Sequence, residues 1–168
     1  MARYHWWKGA RGEWYVVIQG GLFLLFVLGP RTWPGLPAWG PAFIRLGSAA
    51  GGVLVLIGAL VAGAGALSLG KNLTPLPHPK DGAEFVETGA YRFVRHPIYS
   101  GIIFMAFGFS LMLHSWLTVG YALLLFAFFE VKSRREERWL TGRFPGYAAY
   151  QRRVPRLLPS ILPTRRRP

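Results

Sequence analysis

The stretch IYSGIIFMAFGFSLMLHSWLTVGYALLLFAFF, residues 98–129, contains no formally charged side chain. A helix rises about 1.5 Å per residue and the hydrocarbon core of a bilayer is about 30 Å thick, so about 20 apolar residues make one crossing. The stretch is too long for one such helix and fits two short ones folded as a hairpin near His114 and Ser115. Outward from it, WYVVIQGGLFLLFVLG (14–29) is also uncharged, as is LGSAAGGVLVLIGALVAGAGALSLG (46–70). Helices without a polar face would all need complete burial in a water-soluble core. Four of them fit membrane spans better. The first run lacks a small-residue cleavage site close after Gly29, where PRTWPGLP follows, so it reads as a retained span rather than a secretory signal.

The expected fold is therefore an all-α integral membrane protein. It has about four transmembrane helices in two hairpins (14–29 with 46–70, and 98–129), a loop over 71–97 and a helical, basic tail over 130–168, all in one membrane domain over 1–168. Hydrophobic residues make up 52% of the 168 and charged ones only 16%, which agrees with that class. Of the 20 Lys and Arg, eleven follow residue 129 and four (Lys71, Lys80, Arg92, Arg95) lie in the 71–97 loop, whereas the turn at His114 has none. The positive-inside rule then places both termini, the loop and the tail on the cytoplasmic side.

The net charge of +13 invites a nucleic-acid reading. Topology and the tail RRVPRLLPSILPTRRRP account for most of it, since such cations rest on anionic headgroups. No nucleic-acid motif accompanies the charge, so neither DNA nor RNA is an expected partner. The chain has no cysteine, which removes disulfides, thiolate metal sites and a cysteine nucleophile. His5, His78, His96 and His114 are too scattered for a metal motif. The fragment GAGALSLG lacks the spacing of a dinucleotide fingerprint and has no strand before it. Gly47 with Gly51, and Gly58 with Ala62 and Ala66, instead place small residues four apart, where another helix can approach.

Prolines 75, 77 and 79 make the 71–97 loop ordered but irregular. After the apolar run, EVKSRREERWLTGRFPGYAAYQRRVP reads as a helix leaving the membrane, stopped near Gly142 to Gly146, then a short helical stretch with Tyr147 and Tyr150. The most polar cluster, YRFVRHPIYSG (91–101), abuts the third span. Pro97 suits the first helical turn, whose free amides, with the Arg95 guanidinium, make an end suited to a carboxylate or phosphate. The same residues also fit a plain interfacial band of cations with Tyr99 in an aromatic belt. Glu136 and Glu137 stand in an otherwise basic segment and point to different sides of a helix. One is expected to pair with Arg134, Arg135 or Arg138 and the other to receive a cationic group such as an ammonium. A salt-bridged interfacial helix would look alike. Glu130, nearer the bilayer, is a functional candidate by its depth and a partner for Lys132 or for snorkelling arginines.

GAYRFVRHPIYSG followed by REERWL, FPGYAAY and RVPRLLP closely resembles the isoprenylcysteine carboxyl methyltransferase and phospholipid methyltransferase family of integral membrane enzymes. The resemblance runs from about Lys71 to Pro159; the first hairpin matches only as generic membrane helices. It implies an S-adenosylmethionine-dependent methyltransferase with a lipophilic or small apolar acceptor, whether carboxylate, amine or thiol. It also implies that Arg95, His96, Pro97, Tyr99 and Gly101, with Glu136 and Glu137, hold the cofactor. Within that frame Arg95, His96 or the amides after Pro97 would serve the cofactor carboxylate, and Glu136 or Glu137 its ammonium or a ribose hydroxyl. Tyr99, Tyr147 or Tyr150 would meet the adenine or the sulfonium, and Gly101 would leave room for close approach. Arg95 or Arg135 would orient a carboxylate acceptor, which needs no base, while an amine or thiol would call on His96 or a glutamate. The competing readings are an NADPH-dependent membrane reductase of the sterol-reductase type, against which the short chain and REERWL count, and a non-enzymatic membrane scaffold.

Overall fold

The computed structural model describes residues 11–78 and 81–158, which form five α-helices and no strand. The helices are α1 (Glu13–Leu28), α2 (Pro41–Leu69), α3 (Pro97–Met112), α4 (Trp116–Arg143) and α5 (Tyr147–Arg153), with short 3-10 turns at Gly70–Asn72 and Gly89–Arg92. The first ten residues, Pro79, Lys80 and the basic end of the tail over 159–168 lie outside the described residues. Two stretches, Pro41–Asn72 and Trp116–Arg143, are long and apolar enough to cross a membrane, and α1 and α3 are shorter apolar helices. Their outward faces expose side chains such as Leu28 (76%), Leu60 (64%) and Leu67 (85%), a surface suited to lipid rather than water.

Local sequence sets the helix ends. Proline occupies the first turn of both α2 and α3, where its missing amide costs nothing. Between α3 and α4 the chain turns at His114, which takes a left-handed φ of 50° and whose ring reaches Ser48 Oγ at 2.9 Å. Ser115 then caps α4, its Oγ accepting from the Thr118 amide at 3.2 Å. The proline-rich connector after α1 is tied across this end by Tyr121 Oη donating to the Pro30 carbonyl and Trp116 Nε1 donating to that of Pro37.

Two features differ from the sequence expectation. The second helix starts at Pro41 rather than residue 46, so Arg45 lies inside it. The fourth, as expected, leaves the apolar run as a helix and stops at Arg143, next to Gly142, carrying both glutamates without a break. The first two helices do not form a packed hairpin: α1 packs on α4 and α2 on α3, giving the lateral order α1, α4, α3, α2. The reason is a glycine seam. Gly51, Gly58 and Gly65 recur every seven residues on α2 and meet Gly108, Gly101 and Pro97 of α3; a seven-residue repeat stays on one face of a helix. A Cβ on Gly58 would lie 2.6 Å from the Gly101 carbonyl oxygen, and one on Gly51 2.5 Å from that of Gly108. On the other side, Phe129 of α4 packs with Ile103, Ala106, Ala122 and Leu125, with Phe23 of α1 against it.

Gly58→Ala is expected to push α2 from α3 and to cost about 1–3 kcal/mol, the usual penalty for overpacking. Gly63→Ala, where an added Cβ meets nothing within 4 Å, should leave the unfolding midpoint in detergent unchanged or slightly raised. Equal midpoints for the two variants would refute the seam.

Candidate functional site

The site is built where α3 begins. Ser68 Oγ, at the end of α2, accepts from the Ala90 amide at 3.3 Å and holds the 3-10 turn that leads to Arg95 and His96. The chain after α5 returns alongside. The Arg95 amide donates to the Pro155 carbonyl at 2.9 Å, the His96 amide to that of Arg156 at 3.1 Å, and Ser100 Oγ to that of Leu157. These bonds satisfy backbone groups that would otherwise be orphaned beside a buried helix start.

Arg95 is 8% exposed and uses four hydrogen bonds inside the protein. Its Nε donates to Glu137 Oε1 at 2.7 Å and Nη2 to Oε2 at 3.3 Å, while Nη1 donates to the carbonyls of Gln151 and Val154. Glu137, equally buried, also accepts from His96 Nε2 at 3.2 Å and Gln151 Nε2 at 3.1 Å, with Arg156 Nε 3.3 Å away. A carboxylate with both oxygens engaged this way is a structural clamp. It fastens α4, the start of α3 and the segment after α5 together.

Glu136 has the other orientation. Its Oε2 accepts from Tyr99 Oη at 2.9 Å and lies 3.8 Å from His96 Nδ1, while Oε1 has no hydrogen-bond partner among the described residues. The Tyr99 ring stacks with His96 (5.3 Å, 2° between planes) and with Phe129 (4.7 Å), which fixes the hydroxyl that holds Glu136. One turn earlier on the same helix face, Lys132 Nζ donates to Gln19 Oε1 at 2.6 Å and to the Pro75 carbonyl at 2.9 Å.

These groups line a cavity of about 370 Å³, in the range of small-molecule sites. One wall is loop: Asn72 and Glu84 exchange two bonds, Nδ2 to the Glu84 carbonyl at 3.2 Å and the Glu84 amide to Oδ1 at 3.3 Å, which sets Phe85 against the tail. Phe85 stacks with Phe144 at 5.8 Å and meets Tyr147 and Tyr150 edge-on. Burial pushes the hydroxyls of Tyr91, Tyr147 and Tyr150 well above their ordinary range, so all three stay protonated. Tyr150 donates to the Tyr91 carbonyl at 2.6 Å. The Tyr147 hydroxyl is buried and has no partner among the described residues, a donor that needs an acceptor from outside. The cavity can thus take a molecule with a cationic or donor group at Glu136, an acceptor near Tyr147 and a flat or apolar body between aromatic rings.

Several expected residues have other positions. Arg95 and His96 line the cavity, but most of the Arg95 donors and one His96 nitrogen serve Glu137. Arg135 is outside it, 4.5 Å from the Trp139 ring. Pro97 and Gly101 lie in the contact with α2, so the close approach at Gly101 is by a helix. Neither Glu136 nor Glu137 pairs with Arg134, Arg135 or Arg138. It is Glu130 that pairs with Arg134 at 2.8 Å, and with Arg156 at 2.6 Å rather than Lys132. Sequence reasoning missed Phe85, Phe144 and Lys132 as wall residues. The four-residue spacing of Lys132 and Glu136, which puts both on one face of a helix, was the available signal for the last.

A family model described as phospholipid methyltransferase matches residues 46–146, from α2 to the end of the turn before α5. A probable protein-S-isoprenylcysteine O-methyltransferase of Oryza sativa subsp. indica is 34% identical over 113 residues, which cover 65% of this chain and 59% of the relative. The protein-S-isoprenylcysteine O-methyltransferase of Homo sapiens is 30% identical over 151 residues, 88% of this chain and 51% of the relative. That of Schizosaccharomyces pombe is 35% identical over 78 residues, 45% of this chain and 33% of the relative. The chain spans about half the length of the curated relatives it matches.

Two substitutions separate clamp from cavity. Glu137→Ala strands the buried Arg95 charge and is expected to cost about 3–5 kcal/mol. Tyr147→Phe removes an unpaired buried hydroxyl and is expected to be neutral or to stabilise the ligand-free protein by up to about 1–3 kcal/mol. Thermal unfolding in detergent checks both; a mild Glu137→Ala effect or a strongly destabilised Tyr147→Phe protein would contradict these roles.

Proposed function

The chain belongs to the phospholipid methyltransferase family, and from that premise we propose that it is an S-adenosylmethionine-dependent membrane methyltransferase acting on a lipophilic or small apolar acceptor. The observation that carries the proposal is the pairing of a cavity-facing carboxylate, Glu136, with an unpartnered donor, Tyr147, in the wall of a largely apolar cavity. The isoprenylcysteine methyltransferase names of the relatives add a lipophilic carboxylate as one acceptor of interest.

The proposed topology is four spans in a single membrane domain, α1, α2, α3 and the apolar part of α4. Both termini, the 71–97 loop and the 130–168 tail then face the cytoplasm, where the cationic residues concentrate. A polar cofactor reaches the cavity from that side. A lipophilic acceptor reaches it between helices, past Ile98 and Ile102, which line its wall.

When bound, S-adenosylmethionine supplies a methyl group activated by its sulfonium charge. Glu136 is suited to its ammonium, held for that purpose by Tyr99 and flanked by His96. The Tyr147 hydroxyl is suited to an acceptor atom of the amino-acid end or the ribose. Phe85, Phe144 and Tyr150 offer aromatic surface to the adenine. Arg95 and Glu137 act as positioning residues that set His96 and the returning tail around the cavity. Alignment and exclusion of water are the main contributions such a site makes.

Calorimetry on detergent-purified protein tests this, with NADPH as control. S-adenosylmethionine is expected to bind and NADPH not to, and Glu136→Gln, which keeps the shape of the side chain, should weaken binding by about tenfold or more, which is about 1.4 kcal/mol or more. Folded protein that binds no S-adenosylmethionine would overturn the proposal.

A further inference from the structure

Lys132 is 1% exposed, in the wall of the cavity, and its two hydrogen-bond partners, Gln19 Oε1 and the Pro75 carbonyl, are both uncharged. Among the described residues no carboxylate lies within ion-pair distance of it. An ammonium carries three donors, so one remains, beside the Tyr99 ring at 5.2 Å. Buried charges are ordinarily paired, and an ionisable group at the edge of a membrane span is a functional candidate whose partner has to be named. The other cations expected to meet an anionic group are committed elsewhere: Arg95 to Glu137 and two carbonyls, and Arg135 to Trp139 outside the cavity.

We propose that Lys132 is the specificity-determining residue of this cavity, orienting the methyl acceptor and restricting it to lipophilic anions, with a carboxylate as the acceptor group. This rests on the methyltransferase reading above. Lys132 and Glu136 lie about one turn apart on the same face of α4, about 6 Å along the helix axis. The cavity therefore has a cationic group on the side of the apolar run and an anionic one on the side of the polar tail. A cofactor ammonium at Glu136 and an acceptor anion at Lys132 place each ligand at the end from which it arrives. Lys132 holds one carboxylate oxygen and leaves the second to react. That oxygen forms the new bond to the methyl carbon as the carbon–sulfur bond breaks, the electron pair stays on sulfur, and no proton is released. No base is then needed, and the same ammonium would repel a protonated amine.

The test compares dodecanoate with dodecylamine, identical in tail and opposite in charge, by thermal unfolding of the protein in phosphatidylcholine nanodiscs at about pH 7, where both the carboxylate and the Lys132 ammonium are charged. Dodecanoate is expected to raise the midpoint of the wild-type protein and dodecylamine not to. Lys132→Met should reduce the apparent affinity for dodecanoate at least tenfold, and Lys132→Arg should restore most of it. No dodecanoate shift, an equal shift with dodecylamine, or an unchanged dodecanoate response in Lys132→Met would each overturn the assignment. The wild-type comparison stands even where a variant fails to fold. The shift is read without cofactor, so its failure overturns the Lys132 role alone, whereas loss of the underlying reading shows as absent S-adenosylmethionine binding.

Discussion

Two buried charges, the Arg95 guanidinium and the Glu137 carboxylate, meet at 2.7 Å where α3 begins, α4 passes and the chain after α5 returns. Everything around the cavity is referred to that contact. Arg95 carries the tail through the carbonyls of Gln151 and Val154, and the tail carries Tyr147 and Tyr150 into the aromatic wall. Glu137 in turn fixes His96, whose ring stacks on Tyr99, whose hydroxyl holds Glu136. A buried ion pair of this kind adds little net stability, because both charges lose their water. What it adds is position, since either partner alone is costly to bury.

The adjacent glutamates show how a helix divides labour. Successive side chains on a helix point about 100° apart, so α4 can direct Glu137 at the clamp and Glu136 into the cavity without any bend. Running α4 unbroken from the apolar interior to Arg143 gives both residues a rigid mount. On its other flank, the glycine seam between α2 and α3 fixes where α3 starts, and hence where Arg95 and His96 stand. Loop residues then close the wall, with Asn72 and Glu84 holding Phe85 in place.

Much of this was legible in the sequence because it is local. Uncharged runs, the turn at His114 and Ser115, proline at the start of α3 and the short helix with Tyr147 and Tyr150 are all set by neighbours in the chain. What was not legible depends on partners far apart in sequence. Arg95 and Glu137 are separated by 42 positions, and Lys132 and Gln19 by 113. Local spacing favoured pairing one of Glu136 and Glu137 with the arginines beside it, whereas the fold supplied Arg95 for Glu137. For Glu130 the spacing left Lys132 and the arginines open, and the fold supplied Arg134 from the same helix and Arg156 from the tail. The packing of α1 on α4 rather than α2 was hidden for the same reason. The seam that fixes α2 on α3 repeats every seven residues, whereas the spacing of four drew attention to Ala66 in place of Gly65.

Amide hydrogen exchange tests the role of the clamp most directly, because opening of a local unit is read residue by residue. In Arg95→Met protein in detergent, exchange across residues 144–158 is expected to rise about tenfold or more, while residues 101–112 of α3 keep their wild-type protection. Unchanged exchange in the tail, or a rise spread evenly over α2, α3 and the tail, would contradict the claim that Arg95 and Glu137 fasten the returning chain to the site.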